Sequence, residues 1–248
     1  TGVGYVSTNS NADYTVNATD IAGTKALTAS TKNLFMYVTN ADTYANQSHW
    51  ADVPGEAPVL ASLAEGVKEK YLPIDTSWYD NTKTTYTLMD ASDFFGFTML
   101  ANMSETKDIN EKQIKLGADI TIPNSGNAED WATTAPEYEW ISIGTSSLPF
   151  KGEFDGQGNN ISGVYVNATA NEKGLFGYTD YYAVIKNFSL TNSYFYSTGT
   201  DFGSVVGRAM GGTYNSIYSN AIVESTNSQV GGLIGRMRGN ADFTMNNC

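Results

Sequence analysis

Cysteine and histidine are all but missing from this sequence. Cys248 is the only cysteine and His49 the only histidine among 248 residues. One thiol excludes an internal disulfide framework and a cysteine-rich zinc site. One imidazole excludes the His-rich metal sites and leaves a Ser-His-Asp triad a single candidate, in the loop-like "YANQSHWADVPG", where it is read as an ordinary surface residue. Charge is scarce as well, at 16% of residues, and lopsided: 14 Lys and Arg against 26 Asp and Glu leave −12. Nucleic acid and anionic membrane surfaces would be repelled, so neither is expected as a partner. Long apolar runs are also lacking. The longest, Phe94 to Ala101, is broken by Gly96 and Thr98 and falls far short of the roughly 20 residues a membrane helix needs, so no membrane insertion is expected in this segment. No signal peptide is visible at Thr1, so a mature product or a cut piece is expected.

Apolar residues make up 41% of the chain, enough for a core, and the polar surface falls to Asn, Ser, Thr and Gly. With 24 Gly and 16 Tyr the balance favours strands and turns. Residues 1–72 read as a small, irregular α+β region of unknown type. It has a strand at "NLFMYVTN" (33–40) and a helix over 57–72, where Val59, Leu60, Leu63, Val67 and Tyr71 fall at helical spacing. Residues 73–112 read as an extended lead-in and a capping helix over 91–104, with Asp90 as its cap, Asp93 supporting the first turn, and an apolar face of Phe94, Phe97, Leu100 and Ala101.

From residue 113 the pattern changes. "QIKLGADITI" places Ile114, Leu116, Ala118, Ile120 and Ile122 at a period of two. Three short segments then recur: "GLFG" (174–177), "SVVG" (204–207) and "GLIG" (232–235), each followed by a second strand-like stretch. Their spacing, 30 and then 28 residues, is too short for a propeller blade and suits a β-solenoid, with glycines at the bends. The fold class expected is therefore all-β, a parallel solenoid over 113–248. The last copy stops at Cys248, so a C-terminally truncated piece of a longer protein is expected.

These segments, read together as "KQIKLGADITI … EWISIG … PFKGEFDGQGNNISGVYV … GLFGY … IKNFSL … GSVVG … VGGLIG … NNC", resemble the GLUG-repeat proteins of bacterial surfaces, some of them adhesin-like. The same repeat occurs beside the catalytic part of immunoglobulin A1 proteases. The resemblance covers about residues 75–248; residues 1–70 lie outside it. It implies a right-handed parallel β-helix, and the lead-in is similar to the cap that often precedes one. One departure is "NSIYSN" (215–220), where the repeat often carries Asn-Cys.

Three features are candidates for chemistry. "DGQGN" (155–159) lacks G-x-G-x-x-G with a following helix, lacks GK[ST], and has no Glu at the twelfth position of a calcium loop. It is read as a structural turn in which Gly156 and Gly158 take the difficult dihedrals, with a metal turn as the alternative; Ser162-Gly163 marks the next bend. Glu129, Asp130, Glu137 and Glu139 could serve glycoside hydrolysis if two were held about 5–10 Å apart, but they read as a solvated excursion over 123–139. Tyr178, Tyr181, Tyr182, Tyr194 and Tyr196 could stack on sugar rings, or form an aromatic ladder between strands. Six Asn-x-Ser/Thr sequons begin at Asn17, Asn46, Asn102, Asn160, Asn167 and Asn187. The function expected is a non-catalytic structural or adhesive module of a secreted or surface-anchored bacterial protein, extracellular, without cofactor. Its partner would be a host or cell-surface glycan or protein. The alternatives are a β-helical glycoside hydrolase or polysaccharide lyase, and a non-catalytic flank of a secreted protease.

Overall fold

In the computed structural model, which describes residues 50–51, 59–60, 74–104, 106–239 and 242–248, the chain divides into two compact units, Thr1–Glu69 and Lys70–Cys248. In the first, β1 (Trp50–Ala51) pairs antiparallel with β2 (Val59–Leu60), Trp50 facing Leu60. This corrects the helix expected from residue 57 at its first apolar pair: two neighbouring apolar residues suit either period, and a cross-strand partner decides. The remainder of that helix, the strand at 33–40 and His49 lie outside the described residues.

The second unit holds β3 (Thr85–Leu88), α1 (Ala91–Ala101), β4 (Gln113–Leu116), β5 (Ile120–Thr121), β6 (Glu153–Asp155), β7 (Asn160–Ser162), β8 (Tyr165–Ala168) and β9 (Phe176–Thr179). It continues with β10 (Val184–Thr191), β11 (Tyr194–Ser197), β12 (Phe202–Gly203), β13 (Val206–Ala209) and β14 (Gly212–Ser219). The last strands are β15 (Ile222–Ser225), β16 (Val230–Gly231), β17 (Ile234–Met237) and β18 (Phe243–Asn246). Short 3-10 turns occupy Lys107–Glu111 and Ala128–Asp130. The unit is all-β apart from α1 and these turns, and its strand pairs are parallel. Among the described residues no helix is long and apolar enough to cross a membrane.

Register carries the repeat into space. Val184 lies beside Thr213, 29 positions on; Tyr194 beside Ile222, 28 on; Val206 beside Ile234, 28 on; Phe176 beside Val206, 30 on. Parallel neighbours cannot be joined by a hairpin, and between β6 and β10, and between β10 and β14, the chain passes through strands of other sheets before it returns. The order β3-β4-β6-β10-β14-β18 aligns Tyr86, Ile114, Phe154, Ile185, Tyr214 and Met245 in one row. The first five are buried and Met245, on the last strand, is 39% exposed. Each such side chain contributes about 1.5–3 kcal/mol when fully buried. Val166–Phe195–Val223 and Phe176–Val206–Ile234 make equivalent rows in the other sheets.

Asp90 caps α1 as its position implies, accepting the N–H groups of Ser92 (2.9 Å) and Asp93 (3.0 Å), while Asp93 reaches back to the Met89 N–H at 2.7 Å. The helix ends at Ala101 rather than 104 and is buried almost all round. Phe94 stacks on Trp140 at 4.6 Å and Phe97 meets Phe150 edge-on at 6.0 Å. The period-two run 113–122 divides into β4 and β5 about Gly117–Asp119, opposite the corner at 155–159 of the next strand pair.

The repeated glycines need a correction. Gly177, Gly207 and Gly235 do occupy equivalent positions, but inside β9, β13 and β17 rather than at bends. None takes positive φ. A Cβ on Gly207 would meet Lys173 N at 2.5 Å, Glu172 C at 2.6 Å and Asp201 O at 2.7 Å, all backbone. What the position requires is close approach of the preceding turn, not a special dihedral.

Candidate functional site

The outward faces of the sheets carry what chemistry the unit has. In β8-β11-β15 the inward row is Val166–Phe195–Val223, so the alternate residues face out in two rows, Tyr165–Tyr194–Ile222 and Asn167–Tyr196–Glu224. The first row is covered. The excursion over 123–139 folds onto it, with Trp131 (2% exposed) meeting Tyr165 edge-on at 6.1 Å and Tyr165 stacked on Tyr194 at 6.0 Å. Tyr196 and Ile222 pack against the margin of this cluster. The excursion is stitched down by polar contacts. Asn192 Oδ1 accepts the Ala128 N–H at 2.9 Å. Asn124 donates to the carbonyls of Tyr138 (2.8 Å) and Gly163 (2.7 Å). Trp131 Nε1–H donates to Ser125 O at 2.9 Å.

The buried tyrosines orient the outer row. The Tyr194 hydroxyl donates to Glu224 Oε2 at 2.7 Å, and burial together with that carboxylate holds its pKa far above the usual tyrosine value. The Tyr165 hydroxyl accepts from Asn167 Nδ2 at 3.3 Å. Tyr196 is half-buried, and Asn167 and Glu224 are exposed on either side of it.

The five tyrosines singled out from sequence do not form one platform. Tyr178 is in β9, with the Arg208 guanidinium 5.8 Å above its ring. Tyr181 (39% exposed) and Tyr182 (82% exposed) stand in the following turn. Tyr194 and Tyr196 belong to a different sheet, and Tyr194, 4% exposed and covered, offers no face to a ligand. Trp131 and Glu224 escaped the sequence reading, and Asn167 entered it only as a sequon. The signal for Trp131 was a large aromatic inside a polar stretch, where a side chain needs something to lie on. The other two become neighbours only through the 29- and 28-residue register.

The acids of the excursion are engaged or dispersed. Glu137 accepts the Ser125 N–H (3.0 Å) and hydroxyl (2.8 Å), which hold its carboxyl below the usual range. Glu129 and Asp130 are exposed on the 3-10 turn. Glu139 is half-buried and contributes, with Glu172, to the field at half-buried Lys173, whose pKa is nevertheless depressed by burial. A carboxyl held low is a poor general acid.

Charge is otherwise gathered along one edge of the sheet β9-β13-β17. Glu172, Asp201 and Gln229 occupy left-handed backbone at φ 62°, 61° and 65°. They are 29 and 28 positions apart, close to the spacing of the neighbouring strands. Arg208 pairs with Glu172 at 2.8 Å and donates from Nε and Nη2 to Asp201. Arg236 approaches the other Asp201 oxygen at 3.5 Å and bonds Gln229 at 3.0 Å. Asp201 is fully buried, so these contacts clamp successive turns together.

The "DGQGN" stretch is a sheet corner. Asp155 accepts the Gln157 N–H and the Asn187 amide, both at 3.0 Å, and faces Lys186 at 3.5 Å. Positive φ falls on Gln157 (56°) and Gly158 (83°), not on Gly156, which is instead pressed against Asn187 and Phe188. Among the described residues no group of three or more His, Cys, Asp or Glu is placed to hold a metal ion.

The chain matches no family model, no curated protein and no solved structure. The functional reading therefore rests on its own geometry. Of the four described sequons, Asn102, Asn160 and Asn187 use their side-chain amides to hold neighbouring segments, and Asn167 is the exposed one.

Proposed function

We propose that the second unit is a right-handed parallel β-helix of the GLUG-repeat kind, and that it serves as a non-catalytic structural and adhesive module of a secreted or surface-anchored bacterial protein. The observation that carries this reading is the register. Separate parallel ladders all pair residues 28–31 positions apart from β6 and β8 onward. A chain advancing one strand spacing per turn of about that length produces such ladders in every wall at once. Its outward faces present aromatic and amide groups over an extended area, which suits contact by surface rather than by a single pocket.

The partner proposed is a glycan or protein of a host or neighbouring cell. The carboxylates argue against turnover: Glu153 and Asp155 face Lys186, Glu172 and Asp201 face Arg208, and Glu137 is held by Ser125. Carboxylates engaged by cations and hydrogen-bond donors in this way are poorly placed to act as the acid and base of glycoside hydrolysis. The test is incubation of the chain with a panel of polysaccharides and glycoproteins, scored for bound protein, new reducing ends and unsaturated products. Retention without products is the expected result. Product formation that disappears in Glu137→Gln or Glu139→Gln would replace this reading with the enzymatic one.

A further inference from the structure

The outer row Asn167–Tyr196–Glu224 is arranged as a sugar subsite. We infer that Tyr196 is the platform for one ring of a neutral hexopyranose glycan, with Asn167 and Glu224 hydrogen-bonding its hydroxyls from either side; this rests on the adhesive reading above. Three observations carry it.

The first is placement. The two polar residues lie on the strands directly flanking Tyr196, each about 4.8 Å away across the sheet. That spacing lets a pyranose lay its C–H face on the phenol ring while its edge hydroxyls meet an amide on one side and a carboxylate on the other. The second is preorganisation. Tyr194 fixes Glu224 through one carboxylate oxygen and Tyr165 holds the Asn167 amide nitrogen. Glu224 Oε1 and Asn167 Oδ1 make no hydrogen bond to the described residues, so both retain capacity for a ligand. Side chains already held by a buried layer lose little freedom on binding. Tyr196 itself packs against the margin of the buried cluster of Ala128, Trp131, Tyr165 and Tyr194, which limits its movement.

The third is charge. Glu224 sits at the edge of the platform and the whole chain carries −12. A uronate or sialylated sugar would bring like charge against it, whereas a neutral ring presents hydroxyl donors that a carboxylate accepts. The ligand class is thus neutral hexoses, including N-acetylated ones.

Calorimetric titration of the full chain with maltoheptaose, cellohexaose and chitohexaose, and with hexagalacturonate as the anionic counterpart, tests this. At least one neutral oligomer should bind, and hexagalacturonate should bind at least about tenfold more weakly. Tyr196→Ala should weaken neutral binding about tenfold or more, Tyr196→Phe should largely retain it, and Tyr182→Ala, at an exposed tyrosine in the turn after β9, should leave it unchanged. Asn167→Ala, a surface change, covers the case in which Tyr196→Ala does not fold, and should also weaken binding. Glu224→Lys should narrow or reverse the preference against hexagalacturonate. No binding of any neutral oligomer, binding indifferent to Tyr196→Ala and Asn167→Ala, or equal binding of the anionic oligomer would each overturn the inference. Shortening of an oligomer during titration would instead overturn the non-catalytic reading and leave the platform standing.

Discussion

Gly207→Ala should destabilise the second unit by close contact alone. The added Cβ would lie 2.5–2.7 Å from three backbone atoms of residues 172, 173 and 201. Ordinary contact for such atoms begins near 3.4 Å, so the turn carrying Glu172–Lys173 must move by most of an ångström. That turn is fixed by Lys173 N–H to Asp201 O and Gly203 N–H to Lys173 O, both at 3.2 Å, and by the Glu172–Arg208 pair. Overpacking of a rigid site costs about 1–3 kcal/mol; with these bonds strained the upper part of that range applies. For a unit of this size the corresponding fall in Tm is about 4–10 °C. The comparison that isolates the cause is Gly232→Ala, the first glycine of the third repeat, where a Cβ meets nothing within 4 Å and φ is not positive. That change should be neutral or stabilise by a few tenths to about 1 kcal/mol through the unfolded state. Thermal or urea unfolding followed by circular dichroism reads both. Equal effects of the two substitutions, or no effect of Gly207→Ala, would refute the close-packing explanation of the repeat.

Asp201→Asn weakens the contacts of a fully buried carboxylate with Arg208 and Arg236, while Arg208 keeps Glu172, and should destabilise by about 1–3 kcal/mol in the same assay. Asp90→Ala deletes the α1 cap and should cost about 0.5–2 kcal/mol, with Asp90→Ser largely restoring it. For acid stability the sign follows from Glu153 and Asp155. Lys186 and then Gln113 hold the Glu153 carboxyl low against burial, while at Asp155 burial is outweighed by the Gln157 N–H, the Asn187 amide and Lys186. Depressed folded pKa values mean stability fully present above the ordinary carboxylate range of 3.8–4.5 and lost as pH falls through the lower folded values. Tm should therefore fall below about pH 5, less steeply in Lys186→Met; an identical slope would show that this cluster does not contribute. Asp93, raised by burial, works in the opposite direction.

What the sequence reveals and conceals follows from the range of each interaction. The parallel, strand-rich character was legible because "GLFG", "SVVG" and "GLIG" recur at the spacing that register later imposes on Phe176, Val206 and Ile234. The cap at Asp90 was legible because it acts within three residues. The glycine roles were not, because a bend and a tight stacking contact both select glycine, and only the neighbouring turn, about 30 residues away, tells them apart. The two readings offered for the tyrosines could not be separated at Tyr194 for the same reason: Tyr165, on which it stacks as in a ladder, and Trp131, which meets Tyr165, lie 29 and 63 positions upstream. Sequence proximity grouped Tyr194 with Tyr196, whereas the cross-strand neighbours of Tyr196 are Asn167 and Glu224.

In the proposed β-helix successive turns stack one strand spacing apart. Lys186, Asn215 and Asn246 occupy equivalent outward positions on β10, β14 and β18, and spin labels can be placed on them in pairs in a Cys248→Ser background. The proposed β-helix predicts about 5 Å between the backbones at 186 and 215, about 5 Å between 215 and 246, and about 10 Å between 186 and 246. Dipolar broadening should rank the pairs in that order. A 186–246 separation no longer than 186–215, or either neighbouring pair too far apart to broaden, would contradict the stack.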